Sequence, residues 1–248
     1  MLKKLGILAT ILASSLVWSG QATAQSSNAD VEDFQTWANV TATGKFDSLG
    51  ITNPKLEKFR WWMEGQGRFG DNSSHFSQAL IRPGIGYQVH RTTNVWLGYA
   101  WAPTVAPFTT TNMDEHRIWQ QALWSDRFSF GTVALRSRVE ERWVNSSIST
   151  DIAYRYRQLI RVLIPIPQAP KFGFVLADEM FVHLNSASWG LHGPQSGFDQ
   201  NRGFAGIAYT INKNARTEVG YMNQYINRTH SLQNRQDHIL SVNLFLNF

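Results

Sequence analysis

The final fourteen residues of the chain, Arg235 to Phe248, alternate between apolar and polar positions. Every second position from Leu240 to Phe248 carries an apolar side chain, and the positions between them are polar except for Phe245. A period of two predicts a β-strand with one apolar face. Because chain termini usually fray, a regular strand that extends to the last residue indicates that the sheet needs this strand along its whole length.

The same alternation recurs along most of the chain and predicts an all-β fold with few helices. Eleven segments show it, and the first of them alternates less cleanly than the others. The segments are Asp33–Lys45, Phe59–Phe69, Gln78–His90, Val95–Trp101, Glu115–Trp124, Val133–Trp143, Tyr154–Ile164, Phe172–Asn185, Phe204–Ile211, Arg216–Ile226 and the final strand.

The connections between these segments alternate between short and long. Bacterial transmembrane β-barrels have short turns at one end and longer loops at the other, and the final strand resembles the C-terminal signature of these barrels, a last strand ending in Phe. The pattern therefore predicts a single antiparallel up-and-down transmembrane β-barrel. We expect short connections near Arg91, Asp126, Gln168 and Asn212, and longer ones near Ser73, Ala106, Ser147, Gly190 and Ser231.

The number of strands is less clear than the fold class. A single-chain bacterial barrel with both termini on one side of the membrane needs an even number of strands. Either Asp33–Lys45 lies outside the wall, which gives ten strands, or one strand escapes the pattern, which gives twelve. The chain length favours twelve.

The N-terminus has the pattern of a secretory signal peptide. Lys3 and Lys4 precede an apolar run from Leu5 to Val17, and small residues follow at Ala22–Ala24. We therefore predict a signal peptide at residues 1–24 and a barrel domain at residues 25–248, with an N-terminal membrane anchor as the alternative. The chain has no Cys, which excludes disulfides, thiol catalysis, Cys-ligated metals and a lipoprotein anchor.

Composition agrees with a barrel. The mean hydropathy of −0.28 does not argue against membrane insertion, because strands that alternate between lipid and lumen average to such a value. The chain holds ten Trp, which suits aromatic girdles. Without Lys3 and Lys4, 21 basic residues oppose 18 acidic ones, and this small excess does not predict nucleic-acid binding.

The polar faces of the predicted strands are rich in Arg. If the apolar faces contact lipid, these side chains line the lumen. Like charges that face each other across strands are unfavourable, so the arginines require acidic neighbours, water or a bound anion. The predicted lumen-lining residues are Arg60, Glu64, Arg68, Arg82, Glu115, Arg117, Arg136, Arg138, Glu140, Arg142, Arg155, Arg157, Arg161, Glu179 and Arg202.

Two interpretations of this polar face are compatible. A salt-bridge network could fill a narrow barrel, or the arginines could form an anion-preferring passage, since guanidinium groups suit carboxylate, phosphate and sulfonate. A soluble periplasmic barrel or sandwich would show the same alternation with its apolar face in a dry core. Tyr and Trp near the strand ends, as at Tyr99 and Trp143, favour the membrane barrel.

Catalysis has weaker support. His75, His116, His183, His192, His230 and His238 lie beside predicted loops or strand ends, where some outer-membrane hydrolases carry their catalytic residues. The sequence has no nucleophile elbow and no spacing typical of a metal or nucleotide site. Asp178 and Glu179 are adjacent on one strand, so only one of them can face the lumen. We predict no catalytic residues and no cofactor.

Several short stretches in order resemble an uncharacterised proteobacterial outer-membrane barrel family, the domain of unknown function 2490. The resemblance would extend from about Phe34 to Phe248. It implies an outer-membrane barrel, and it implies no activity and no catalytic residue. The stretches that carry it are Arg82–Tyr87, Gly98–Tyr99, Arg136–Arg142, Arg155–Arg157, Asp178–Phe181, Gln200–Arg202 and Gly220–Met222.

These observations lead to an expected function. We expect an outer-membrane barrel with an Arg-rich lumen for the passive passage or binding of small anionic solutes. The alternatives are a plugged, non-conducting structural or surface-binding barrel and, third, an outer-membrane hydrolase. The expected partners are outer-membrane lipid and small anions, with no nucleic acid. The oligomeric state stays open.

Overall fold

The computed structural model describes residues 30–145, 150–189, 193–228 and 233–248. Within these ranges, eleven strands close into one barrel. The predicted signal peptide at residues 1–24 lies outside the described residues. The strands are β1 Val31–Lys45, β2 Phe59–Gly70, β3 His75–His90, β4 Thr93–Thr104, β5 Met113–Phe128, β6 Gly131–Val144, β7 Ala153–Ile166, β8 Ala169–His183, β9 Gly197–Thr210, β10 Ala215–Ile226 and β11 Arg235–Asn247.

The barrel closes through a parallel pair of strands. β1 pairs with β11 from Val31 opposite Arg235 to Thr43 opposite Asn247, and consecutive strands elsewhere pair antiparallel. The predicted fold class is confirmed, with eleven strands in place of the twelve we favoured or the ten we allowed. The even-number argument assumed an antiparallel seam. In an odd run of alternating strands the first and last point the same way, so only a parallel seam can close the wall, and Asp33–Lys45 is part of it.

The two ends of the barrel differ in their connections. At the end where β1 and β11 begin, which we call the loop end, the connections span 71–74, 105–112, 145–152, 184–196 and 227–234. At the opposite, turn end they span 91–92, 129–130, 167–168 and 211–214, and a longer segment, 46–58, holds two short 3-10 helices. The short connection expected near Asp126 lies at 129–130, because Asp126 still pairs with Val133 inside the β5–β6 hairpin.

The strands carry apolar side chains outward and mostly polar ones inward. In β11, Leu240 is 41% exposed on the outer wall whereas its neighbour Ile239 is fully buried. Leu97 of β4 is 58% exposed, and Glu140 of β6 is 0% exposed. This distribution of apolar and polar side chains is the reverse of that in a soluble barrel, whose apolar side chains face a dry core.

One inward-facing cluster is aromatic. Trp96 and Trp119 are buried with Ala100 on β4 and β5, and Trp62 and Leu123 pack against them. Their rings occupy space that glycines leave open on the neighbouring wall: a Cβ atom at Gly84 or Gly98 would collide with the Trp119 ring, and one at Gly86 with the Trp96 ring. These glycines therefore let two indoles lie flat against the inside of the barrel.

We predict that thiols placed opposite each other across the seam will cross-link. Ala38 and Val242 are paired between β1 and β11, and adjacent strands lie about 4.8 Å apart, within reach of a disulfide. The double variant Ala38→Cys/Val242→Cys should form an intramolecular disulfide on oxidation, seen as a reductant-sensitive mobility shift. Ala38→Cys/Leu246→Cys is the matched control, since Leu246 pairs with Ala42. Equal cross-linking of both pairs would contradict the register.

A second prediction concerns the indole-accommodating glycines. Gly98→Ala should destabilise the barrel by roughly 1–3 kcal/mol, because the added methyl meets the Trp119 ring and the Pro83 carbonyl. Gly65→Ala is the control, since a Cβ there meets nothing within 4 Å. Thermal or urea unfolding of the refolded protein in micelles would measure both, and an equal effect of the two substitutions would argue against the packing described.

Candidate functional site

A network of buried ion pairs occupies the interior towards the loop end. Its centre is Glu140 of β6, which is fully buried and accepts hydrogen bonds from Arg155 Nη2 and Arg157 Nη1, both at 2.7 Å. Arg138, 1% exposed, lies 3.6 Å from the same carboxylate and donates to the Gln121 side chain at 2.6 Å. One carboxylate thus faces three guanidinium groups.

A second buried carboxylate lies further toward the loop end. Glu115 of β5, 2% exposed, accepts from Arg117 Nε at 2.8 Å and from Arg142 Nε at 2.5 Å. Arg142 also contacts His183 Nε2 at 2.8 Å. Asp199 joins the two halves of this network, since its carboxylate lies 3.2 Å from Arg155 and 3.6 Å from His183.

Burial makes the pairing of these charges energetically necessary. Moving an ion from water into a low-dielectric interior costs several kcal/mol, and a well-formed partner only offsets that cost. Removing one partner leaves a buried charge uncompensated. Each buried arginine of this region therefore needs its glutamate, and each glutamate its arginine. These ion pairs hold the side chains in place at this level of the barrel.

The other part of the interior holds a cavity of about 210 Å³. Its lining comes mostly from the middle of the strands and from their halves nearer the turn end, on every strand except β4 and β5, with Arg68 and Arg157 nearer the loop end. Six arginines and three glutamates line it, together with apolar and neutral polar side chains. The charged lining residues are Arg68, Arg82, Arg136, Arg157, Arg161, Arg202, Glu64, Glu179 and Glu218.

Four of the six cavity arginines are paired with carboxylates. Arg82 lies 2.9 Å from Glu64, and Arg136 and Arg157 share Glu179 at 2.7 and 2.8 Å. Arg161 pairs with Glu218. The remaining two, Arg68 and Arg202, have no carboxylate within 4.0 Å in the described ranges and are held by glutamine side chains.

The structure places the predicted lumen-lining residues in three groups. The cavity is lined by Glu64, Arg68, Arg82, Arg136, Arg157, Arg161, Glu179 and Arg202. The buried network contains Glu115, Arg117, Arg138, Glu140, Arg142 and Arg155, and Arg157 joins both sets. Arg60 belongs to neither set. It is half-buried at the turn end and donates to the Glu57 and Phe59 carbonyls and to Gln88.

Several interior residues escaped the sequence reasoning. Trp37 and Phe181 are almost fully buried inside the barrel under arginine side chains. Asp199 and His183 belong to the buried network. Strand parity would not have found Asp199, which lies three positions from the inward Arg202; a register shift between β8 and β9 lies beside it. The parity of β8 could have found Phe181 and His183, since both share a face with the inward Glu179.

The outer wall has an apolar belt with aromatics near both ends. Near the turn end, the Trp61 ring stacks on Phe248 with centroids 5.9 Å apart, and Phe172 meets Tyr209 at 4.9 Å. Near the loop end, His116 stacks on Trp143 at 5.8 Å. Exposed aliphatic side chains lie between these levels, among them Val40, Ile85, Leu97, Leu176, Ile207 and Val219.

One sector of the outer wall is less apolar. Asp178 on β8 accepts from the Asn201 amide of β9 at 3.1 Å, Ser137 donates to Gln158 at 2.6 Å, and the Gln120 amide donates to Glu141 at 3.3 Å. Asp178 thus points away from the arginines, whereas its neighbour Glu179 points toward them. Neighbouring side chains satisfy polar groups that a hydrocarbon environment would otherwise penalise.

The histidines do not form a catalytic relay in the described ranges. His75 lies 2.7 Å from Ser74 and 3.0 Å from Asp71, but both contacts involve the same nitrogen, Nδ1, whereas a relay uses the two ring nitrogens separately. The predicted candidates His192 and His230 lie outside the described residues. Across the described ranges, no cluster of three or more His, Asp or Glu side chains is arranged to hold a metal. No described helix has the length and apolar character needed to cross a membrane.

Comparison with known proteins assigns the chain to a family. A family model described as "Protein of unknown function (DUF2490)" matches residues 34–236. The chain belongs to this family. The resemblance inferred from the order of short motifs is thereby confirmed, and the family brings no established activity with it.

Two further similarities accompany the family match. An uncharacterized protein of Methylorubrum extorquens is 31% identical over 229 residues, which cover 91% of this chain and 92% of that protein. A solved chain described with the words "Unveiling the Mechanism Behind the in-meso Crystallization of Membrane Proteins" aligns over 85% of this chain and 81% of its own length, at 15% identity and a TM-score of 0.42. A structural likeness at that level carries no argument.

The buried network generates a matched test with two adjacent glutamates. Glu140→Gln should lower the free energy of unfolding by about 3–5 kcal/mol, because it leaves buried guanidinium groups without their shared charge. Glu141→Gln changes the same charge on the outer wall and should cost no more than about 0.5 kcal/mol. Unfolding in micelles measures both. A near-neutral Glu140→Gln would show that the interior network does not stabilise the barrel.

Proposed function

We propose that this protein is an outer-membrane β-barrel that binds a small anionic solute in its internal cavity and does not form a permanently open pore. The observation that carries the proposal is the charge of the cavity lining, where six arginines face three glutamates. A concave space whose lining carries an excess of positive charge raises the local concentration of anions.

The membrane location is supported by the closed strand ladder and by the outer wall. A closed strand ladder leaves no unpaired backbone edge, which is one of two ways for a chain to span a bilayer. The belt of exposed aliphatic side chains, flanked by aromatics near both ends, matches the lipid-facing surface of such barrels. The sequence-based expectation of a signal peptide at residues 1–24 agrees with export.

The packing near the loop end supports a barrel without a permanently open passage. Glu140, Arg138 and Glu115 are between 0% and 2% exposed, so neighbouring side chains cover them at that level of the barrel. Large aromatic residues fill the β4–β5 side, where the cavity has no lining residues. The cavity is thus a pocket within the barrel, and this geometry favours binding over passage.

The proposal predicts selective binding of anions by the refolded full-length protein. Isothermal titration in an uncharged detergent would compare benzoate and inorganic phosphate with benzylammonium, a cation of similar size. Binding of at least one anion, with no binding of the cation, is the expected result, because the cavity lining has a net positive charge. Absence of binding by both anions, or a preference for the cation, would refute anion binding.

Planar-bilayer recording tests the closed interior separately. Wild-type protein should show no sustained conductance, because the ion-pair network occludes the interior. A steady conductance with an anion-selective reversal potential would instead support the alternative of passive anion passage. Recovery of the protein with inner-membrane or soluble fractions after cell fractionation would contradict the location.

A further inference from the structure

Among the cavity arginines, Arg68 and Arg202 differ from the rest in what holds them. Arg68 Nη1 donates to Gln78 Oε1 at 2.7 Å and its Nη2 to Gln66 Oε1 at 2.6 Å. Arg202 Nε donates to Gln224 Oε1 at 2.7 Å. Neutral amide oxygens therefore position both guanidinium groups, and their positive charges have no carboxylate within 4.0 Å in the described ranges.

The glutamines are themselves held in the orientation that serves the arginines. The Gln78 amide donates to Thr104 at 2.6 Å, and the Gln224 amide donates to Asp237 at 2.7 Å. Because each NH₂ group is occupied elsewhere, each carbonyl oxygen faces its guanidinium. The surrounding residues thus position two cations, and no described carboxylate is in direct contact with either.

Both guanidinium groups converge on one indole. The Cζ atom of Arg68 lies 3.8 Å from the centroid of the Trp37 ring, and that of Arg202 lies 4.9 Å from it. Arg202 also lies 4.6 Å from the Phe181 centroid. An aromatic face attracts each cation, but it does not remove the repulsion between two guanidinium groups that share it. A bound anion would remove this repulsion.

We infer that Arg68 and Arg202, which both contact the Trp37 ring, bind the carboxylate group of a small ligand with an apolar or aromatic body. The inference rests on the proposed function and names the ligand class for the same cavity. The planar guanidinium fork matches a carboxylate through paired hydrogen bonds. At Arg202, Nη1 donates to no described residue, and the residue lines the cavity.

The remainder of the cavity lining specifies the body of the ligand. Phe204, Met222 and Phe245 line it beside Leu159, so a purely inorganic anion would leave these apolar surfaces against water. A carboxylate attached to an apolar body would cover them and gain the free energy of their burial. The cavity of about 210 Å³ limits that body to a small one.

Benzoate titration of full-length variants tests the inference. Arg68→Gln and Arg202→Gln should each weaken benzoate binding by roughly tenfold or more, because each removes a charge-assisted hydrogen bond. Arg91→Gln is the matched control, since Arg91 is exposed in the β3–β4 turn, and should bind benzoate as the wild type does. Benzyl alcohol, which has the same ring without the charge, should bind no variant measurably above the detergent background.

The outcomes separate this inference from the proposed function. If wild type binds benzoate and both arginine variants bind it equally well, the carboxylate site is wrong while anion binding in the cavity stands. If wild type binds phosphate but not benzoate, the ligand class is wrong. If wild type binds neither anion, the proposed function fails as well.

A second measurement keeps the test independent of the folding of the arginine variants. Ala177 lines the cavity, and the chain has no native Cys, so Ala177→Cys places a single thiol there. Benzoate should slow the reaction of this thiol with N-ethylmaleimide at least several-fold, and benzyl alcohol should not. An unchanged labelling rate in the presence of benzoate would overturn the inference.

Discussion

The hydrogen bonds between β1 and β11 close a wall that would otherwise expose two strand edges. In the bilayer we propose for this protein, no water is available to those backbone groups. The barrel therefore depends on the pairing of β1 with β11. The thirteen paired positions from Val31 to Thr43 supply it in parallel orientation. Closure also confines the inward side chains to a fixed volume, and their chemistry follows from that confinement.

Confinement makes the pairing of charges the main requirement inside the barrel. A guanidinium group that cannot reach bulk water needs a carboxylate, an aromatic face or a ligand. The interior uses the first two of these for different arginines. Near the loop end, Glu140 and Glu115 each serve more than one arginine, whereas Arg68 and Arg202 have amide oxygens and the Trp37 ring. The same residue type thus occupies two different environments inside one barrel.

Much of the fold could be predicted because a strand has a simple period. Alternation along β11 identified Leu240 as outward and Ser241 as inward, and the structure leaves the first 41% exposed and the second 6% exposed. The strand number could not be predicted, because the direction of pairing between β1 and β11 involves residues about two hundred positions apart. Arg60 shows a further limit: it shares the inward parity of Glu64, but its position at the turn end lets it bond to backbone carbonyls instead.

The order of residues by itself determined the period of two and therefore the strands. It also determined that each strand has an apolar and a polar face and that arginine is enriched on the polar one. Each of these features depends only on near neighbours along the chain. Only the tertiary structure decided which carboxylate meets which arginine. Glu179 of β8 pairs with Arg136 of β6 and Arg157 of β7. Arg202 of β9 contacts Trp37 of β1 across the seam. The stagger of the strands around the closed wall sets these distances, and it cannot be predicted from the local sequence.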